Sequence, residues 1–572
     1  MVSINKAAWV ARVNAAAGKS AAWVVDLVAQ ARASRFVRKF SWRKAFRFLA
    51  LSLFLAAIGL LVGVMTVILP PMASIGTVAV ALLLLIWTAP ELRHVPTKML
   101  RKIFFVVVFI GTCVPNYYAV QIPGLPWFSI RRIVVLCLII LFAVAISGSK
   151  NLRDEVMVAL RADRKLFTCV AGYYLMCVLS LFTSANPSES ISMFSDYTLN
   201  GFVPLITGII VIRSFTDVKL VFKLICSVSL FVAALGVADF IWQHNYAVDI
   251  LPKALVNAMV EANPSLNFVF NGSQIRDGQY RASSIFMVPL SFGEYAAIVG
   301  PLGGYFIAHG EKIGARVFGA LIILGCLGSL FASGARGGSM AFLIAMSVFL
   351  VLWVIRSSRA NPHGMHGALG GASAFMVLMA LLGLVLSVQS LRKKVLGGSE
   401  TASSDTSRFD QANMAWPHIL ANPLTGHGLG NAGVVIGYTS PDGGVTVDSS
   451  ILTLVVETGV PGIVLFFGML LTMAWTTGRI YINGKDRDSA VGAAFACSGI
   501  AYSVYRLVLS QRENQSLMLI LIGCAFAFIR IIANQSRAKA KQTAPSPGLA
   551  GKARYDHAAR QLKPAMTPER PV

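Results

Sequence analysis

Long apolar runs alternate with short polar connectors from about residue 46 to residue 533. The runs recur at roughly 20 residues, the length a helix needs to cross a ~30 Å hydrocarbon core. Candidate spans fall at 46–69, 73–90, 103–119, 130–148, 164–183, 198–214, 219–242, 283–308, 314–332, 338–356, 366–388, 450–475, 488–509 and 514–533. The pattern predicts an all-α, polytopic integral membrane protein with about 14 transmembrane helices in one body, 46–533. Two long polar passages interrupt it, at 243–282 and at 389–449, the latter before the twelfth span. Residues 1–45 mix small apolar residues with Lys and Arg and end in Arg32, Arg35, Arg38, Lys39, Arg43 and Lys44. That segment reads either as an amphipathic helix on the inner membrane surface or as a basic tail. Residues 534–572 are basic and Pro-containing and read as a disordered tail.

Composition agrees: 56% of residues are apolar, 13% are charged, and the mean hydropathy is +0.68. The net charge of +25 is explained by anionic lipid and the positive-inside rule, so no nucleic-acid partner is expected. Placing residue 1 inside makes alternate connectors cytoplasmic. Those carry Arg93, Lys98, Arg101 and Lys102; Lys150, Arg153, Arg161, Arg164 and Lys165; Arg213 and Lys219; Lys312 and Arg316; Arg356 and Arg359; and Arg479, Lys485 and Arg487. Both termini are then cytoplasmic, and 243–282 and 389–449 face outward. All eight cysteines lie in or beside apolar runs, with neither a disulfide framework nor metal-ligand spacing. No short apolar core with a cleavage site precedes the first span, so no removable signal peptide is expected.

Arginines on the outward side break the charge rule and mark themselves for function. Arg281 stands where the first long loop enters a span, and Arg336 lies in the tight connection Ser333-Gly334-Ala335-Arg336-Gly337-Gly338. Two permanently charged, bidentate donors at a membrane rim suit a phosphate or diphosphate on a lipid, and glycine-flanked backbone can add N–H donors. The plain alternative pairs each with a loop carboxylate such as Asp277 or Asp410. Arg131, Arg132, Arg506 and Arg512 are also outward. For these, capping a helix C-terminus or holding a phospholipid headgroup competes evenly with a role in the site.

The stretch Arg408–Gly462 holds the densest polar chemistry. Thr406 or Ser407 is placed to cap a helix through Arg408, Phe409, Met414 and Ile419 that ends at Asn422-Pro423. The turn Thr425-Gly426-His427-Gly428-Leu429-Gly430 follows no strand, so a dinucleotide reading is discarded. Asp448-Ser449-Ser450 opens the next span, with Asp448 and Ser449 equally able to be its N-cap.

These pieces, in this order, resemble the bacterial O-antigen ligase and polymerase family (Wzy/WaaL type). The resemblance rests on Arg281-Ala282-Ser283-Ser284 with Pro289 and Gly293; on Ser333–Gly338; on Arg408–Trp416 with Asn422–Gly430; and on Asp448-Ser449-Ser450 with Glu457-Thr458-Gly459-Val460-Pro461-Gly462. It implies an inner-membrane glycosyltransferase that takes glycan from undecaprenyl diphosphate at the periplasmic face, with no metal, no cofactor and no nucleotide sugar. It maps the diphosphate arginines onto Arg281 and Arg336. Apart from the resemblance, Arg408, Arg131 and Arg132 are candidate diphosphate or glycan contacts. The implied partners are the lipid-linked oligosaccharide, the growing polysaccharide, membrane lipids and chain-length or export proteins. Family ligases usually carry His-Asn where this chain has Asp448-Ser449, so the chain resembles repeat-unit polymerases, exopolysaccharide ones included. Pro123-Gly124-Leu125-Pro126 resembles the latter too.

On this reading a sugar hydroxyl displaces undecaprenyl diphosphate with inversion, and arginines stabilise the charge on the leaving oxygen. Asp448 is favoured as base by its position and His427 by its ordinary pKa of about 6.5; Asp448 acting only to orient the hydroxyl is the third option. Transfer to lipid A core or protein is the second reading. A lipid or polysaccharide transporter is the third, disfavoured because charge gathers at one face rather than along a central cavity.

Overall fold

The computed structural model describes residues 95–120, 128–262, 267–270, 274–276, 279–360, 401–439 and 447–543, with 370, 372 and 376 as isolated positions. All lie within the unit Ile86–Val572. The expected spans at 46–69 and 73–90, most of 366–388, segment 1–45 and the Pro123–Pro126 run fall outside the described residues.

The order of elements is α1 (Thr97–Cys113), β1 (Ala119–Val120), β2 (Phe128–Ser129), α2 (Ile130–Gly148), α3 (Lys150–Ala162), α4 (Arg164–Phe182) and α5 (Pro187–Tyr197). The π-turn Thr198–Phe202 leads into α6 (Val203–Val211), α7 (Phe215–Trp242), α8 (Tyr246–Asp249), α9 (Lys253–Ala262) and α10 (Asn267–Phe270). Next come β3 (Ile275–Arg276), β4 (Gln279–Tyr280), α11 (Pro289–His309), α12 (Ile313–Ser333) and α13 (Arg336–Ala360). The chain finishes with α14 (Thr401–Ala421), α15 (Ala432–Ile436), α16 (Ser450–Asn483), α17 (Val491–Val508) and α18 (Gln515–Thr543). β1 pairs antiparallel with β2, and β3 with β4.

The fold is all-α and multi-pass. Among the described residues, nine helices are long and apolar enough to cross a membrane. Several starts have a side-chain cap: oxygens of Ser129, Asp163, Asn186 and Ser449 accept from the first-turn N–H groups of α2, α4, α5 and α16. Ser214 and Asp217 form a reciprocal capping box on α7, and Asp217 also pairs with Arg101.

The core is built around α11, which is buried over most of its length against α12, α13 and α17. Small residues allow that approach, because apolar area alone does not drive helices together in lipid. A Cβ at Gly300 would meet Phe342 at 2.4 Å, and one at Gly319 would meet the Gly303 carbonyl at 2.7 Å. α2 instead turns Ile130, Ile133, Leu136 and Ile140 outward as an apolar stripe.

Three expectations are corrected. The helix through Arg408 begins at Thr401, so Thr406 and Ser407 lie inside it and cannot cap it. The span expected at 198–214 starts at Pro187 and passes through the π-turn. The expected tail from 534 is helical as far as Thr543, because Ala, Gln, Lys and Arg there are strong helix formers that extend α18.

Candidate active site

Five connections meet at one end of the bundle: Arg281 to Pro289, the α12–α13 turn, the turn after α14, the approach to α16 and the α17–α18 connection. α12 ends with Gly334 at φ 57°, the left-handed conformation that glycine adopts without penalty. Arg281 grips this turn: its Nε donates to the Ser333 carbonyl at 2.9 Å, and its Nη2 lies 3.5 Å from the Gly334 carbonyl. The backbone follows, with the Ala282 N–H donating to the Ala332 carbonyl at 3.0 Å. Arg281 thereby sits beside the turn that delivers Arg336.

Arg336 is the first residue of α13 and is half-buried. Among the described residues no side chain pairs with its guanidinium. The end of α13 adds backbone N–H groups without intrahelical acceptors and the positive pole of the helix dipole. Gly337 and Gly338 serve packing: a Cβ at Gly338 would lie 2.8 Å from Gly293 backbone, and one at Gly337 would lie 3.0 Å from Leu509.

Leu509 links this corner to Asp448. The Ser450 hydroxyl donates to the Leu509 carbonyl, and the Ser510 hydroxyl to the Val447 carbonyl. On the other side the Asp448 N–H donates to Gln411 Oε1 at 3.0 Å. Gln411 is fully buried, and Arg408 stands one turn before it on the same face of α14. Ser449, not Asp448, caps α16. Among the described residues, the half-buried Asp448 carboxylate has no hydrogen-bond partner.

The glycine-rich turn answers a defect in α16. That helix breaks at Gly459 (φ 72°, ψ 178°), and Pro461 has no N–H for the Glu457 carbonyl four residues earlier. The turn supplies the missing donors: the His427 N–H reaches the Val456 carbonyl at 2.7 Å and the Gly428 N–H reaches the Glu457 carbonyl at 3.1 Å. The Val460 N–H in turn reaches the Pro423 carbonyl at 2.8 Å. Gly426, Gly428 and Gly430 all have positive φ, and a Cβ at Gly426 would lie 2.5 Å from Glu457 backbone. The His427 ring is held as well. Nε2 lies 2.9 Å from the His418 carbonyl, which only accepts, so Nε2 carries the proton; Nδ1 then accepts from Asn422 Nδ2 at 3.3 Å. Both ring nitrogens are therefore engaged inside the turn.

The remaining outward arginines have separate places. Arg131 donates from Nε to the carbonyl of Val114, the C-cap of α1, at 2.8 Å and also pairs with Asn116. Arg132 bridges to Asp196 at 3.2 Å. Arg506 is buried under the rings of Phe466 and Tyr502, at 5.7 and 5.8 Å, and donates to the Gln511 carbonyl. Arg512 pairs with Glu457, a carboxylate only 1% exposed. Arg131, Arg132 and Arg512 line one cavity of about 450 Å³, which Arg281, Arg336, His427 and Asp448 do not line. The Glu457–Arg512 pair was missed by sequence reasoning. A carboxylate inside an otherwise apolar span is the signal, since it requires a cation. Glu294, bonded to Asn514 at 2.9 Å, gives the same signal. Among the described residues no cluster of His, Cys, Asp or Glu is arranged to hold a metal ion.

Comparison with known proteins returns one family model, described as O-antigen ligase, matching residues 319–467. The match contains Arg336, Arg408, His427, Asp448 and the Gly459 break, and stops short of Arg281 on one side and of Arg506 and Arg512 on the other. No curated protein matches the chain. Family members are membrane glycosyltransferase-like enzymes of ligase or polymerase type, which implies a lipid-linked oligosaccharide substrate. Residues 319–467 match the O-antigen ligase family model, which supports the resemblance to the O-antigen ligase and polymerase family.

Proposed function

We propose that the protein is a polysaccharide polymerase that moves glycan from an undecaprenyl-diphosphate-linked donor to a sugar hydroxyl of a second lipid-linked unit, with inversion and without metal. The observation that carries this reading is the corner where Arg336 opens α13 beside Arg281, with the uncapped Asp448 carboxylate joined to it through Leu509. The acceptor hydroxyl oxygen attacks the anomeric carbon while its proton passes to the Asp448 carboxylate. The bond from that carbon to the diphosphate breaks, and its electron pair goes to the leaving oxygen. Arg336, Arg281 and the N-terminus of α13 stabilise that charge where water is scarce. Arg408 contacts diphosphate or glycan from α14.

Asp448 rather than His427 is the base in this reading, because both His427 ring nitrogens are engaged within the turn. The end of the bundle opposite the site carries Arg213, Lys219, Arg316, Arg356, Arg479, Arg487 and Lys539. That asymmetry supports an inner-membrane location with the site facing the periplasm. The test is transfer by purified protein supplied with its lipid-linked repeat unit. Arg336→Ala is expected to lose about 10²–10³ in rate, and Asp448→Asn to lose the reaction while the fold persists. A fully active Asp448→Asn removes Asp448 as the base.

A further inference from the structure

The cavity of about 450 Å³ lies between α1, α2, α5 and the start of α18, and its size is that of a ligand pocket rather than a packing fault. Its lining sets Arg131, Arg132 and Arg512 against Glu189, Asp196 and Glu513, so its formal charge is balanced. Arg132 faces Asp196 at 3.2 Å, Arg131 is held by the Val114 carbonyl and Asn116, and Arg512 by Glu457. Glu513 accepts from the Met287 N–H at 3.1 Å. A wall so balanced has no surplus cation to offer an anion. It does hold hydrogen-bonding capacity without a partner: among the described residues, Tyr117 Oη and both Gln515 side-chain polar atoms have none. Tyr117 is 2% exposed and Gln515 4%. Buried side-chain polar atoms nearly always have a partner, so two orphaned residues lining one cavity point to a ligand. A hydroxyl both donates and accepts, and within the same cavity Gln515 offers the complementary amide pair and Tyr117 a phenol. Val107, Leu517 and Ile520 give an apolar wall for a sugar face.

We infer that this cavity binds an uncharged stretch of glycan, a sugar subsite separate from the Arg281–Arg336 corner. It shares with that corner the α17–α18 connection: Leu509 packs on Gly337 at one end, and Gln515 lines the cavity at the other. Only the use made of the sugar, holding the chain that accepts the next unit, rests on the polymerase reading.

The test is isothermal titration of the full-length protein in lipid nanodiscs. The probe is oligosaccharide released by mild acid from the host's own polysaccharide, which carries no diphosphate. Binding to the unaltered protein is expected, and Gln515→Leu and Tyr117→Phe should each weaken it at least tenfold. Tyr117→Phe removes one oxygen and guards against a Gln515→Leu that fails to fold. Inorganic diphosphate should not compete. Unchanged binding in Tyr117→Phe and in folded Gln515→Leu, competition by diphosphate, or no binding to the unaltered protein overturns the proposal. A phospholipid held by the unaltered protein and lost in Gln515→Leu overturns it as well. Cavity binding without transfer from any lipid-linked donor would remove the polymerase and leave the subsite. A glycan ladder with binding indifferent to both variants would do the reverse.

Discussion

His427 is where residue type and residue environment diverge most. By intrinsic pKa a histidine is the natural base at neutral pH. This imidazole, however, bonds the His418 carbonyl through one nitrogen and the Asn422 amide through the other, while its backbone closes the break in α16. The expected consequence is a separation of stability from chemistry. His427→Gln should lower the unfolding free energy by about 0.5–1.5 kcal/mol, the worth of an ordinary hydrogen bond between half-buried partners, and leave the shape of the rate-against-pH profile intact. Loss of one limb of that profile in a folded His427→Gln would give the base role back to His427. Arg131 is a second case. Its outward position made it conspicuous in the sequence, yet its Nε lies on the C-cap carbonyl of α1. Residue type and order marked Arg281 and Arg336, but neither could show that Arg281 bonds the turn preceding Arg336, because that pairing joins positions 52 residues apart.

At the scale of elements, hydropathy located helices well where one face meets lipid. The stripe of α2 needs only a count of apolar positions. Boundaries failed where polar helices continue apolar ones: α18 runs to Thr543, and α14 starts at Thr401. Both extensions are polar in sequence, so hydropathy passes over them. The glycine-rich turn was visible as a motif, but its job was not, since a helix break and the turn that repairs it are separated along the chain. That pairing orders two substitutions. Gly459→Ala forces a left-handed residue to carry a Cβ only 2.4 Å from the Leu424 carbonyl, and should destabilise by about 2 kcal/mol or more. Pro461→Ala offers an N–H to a carbonyl that Gly428 already serves, and should cost less than about 1 kcal/mol. Thermal unfolding in detergent checks the order, and a larger loss in Pro461→Ala would contradict the repair.

For the whole molecule, one charge asymmetry organises the reading. The end opposite the site gathers basic residues with acidic partners, as in Lys219–Asp488 at 3.2 Å and Arg213–Glu155 at 3.1 Å. Among the described residues the site end carries fewer cations, and Arg131, Arg132, Arg281, Arg506 and Arg512 there are tied to carbonyls or carboxylates. The charge bias was therefore legible in the sequence, while the cavity beside α2 and α5 was not, because it exists only once distant helices pack. In a variant without its native cysteines, Leu424→Cys at the site end should react with a membrane-impermeant maleimide in intact cells. Glu311→Cys at the other end should react only after the inner membrane is opened; the reverse pattern would invert the orientation. The most direct measurement is of product. Purified protein, given one lipid-linked repeat unit and no other acceptor, should release undecaprenyl diphosphate and build a ladder of longer lipid-linked glycans with inverted linkages. An unconsumed donor, or transfer that begins only when lipid A core or a protein acceptor is added, would contradict the polymerase account.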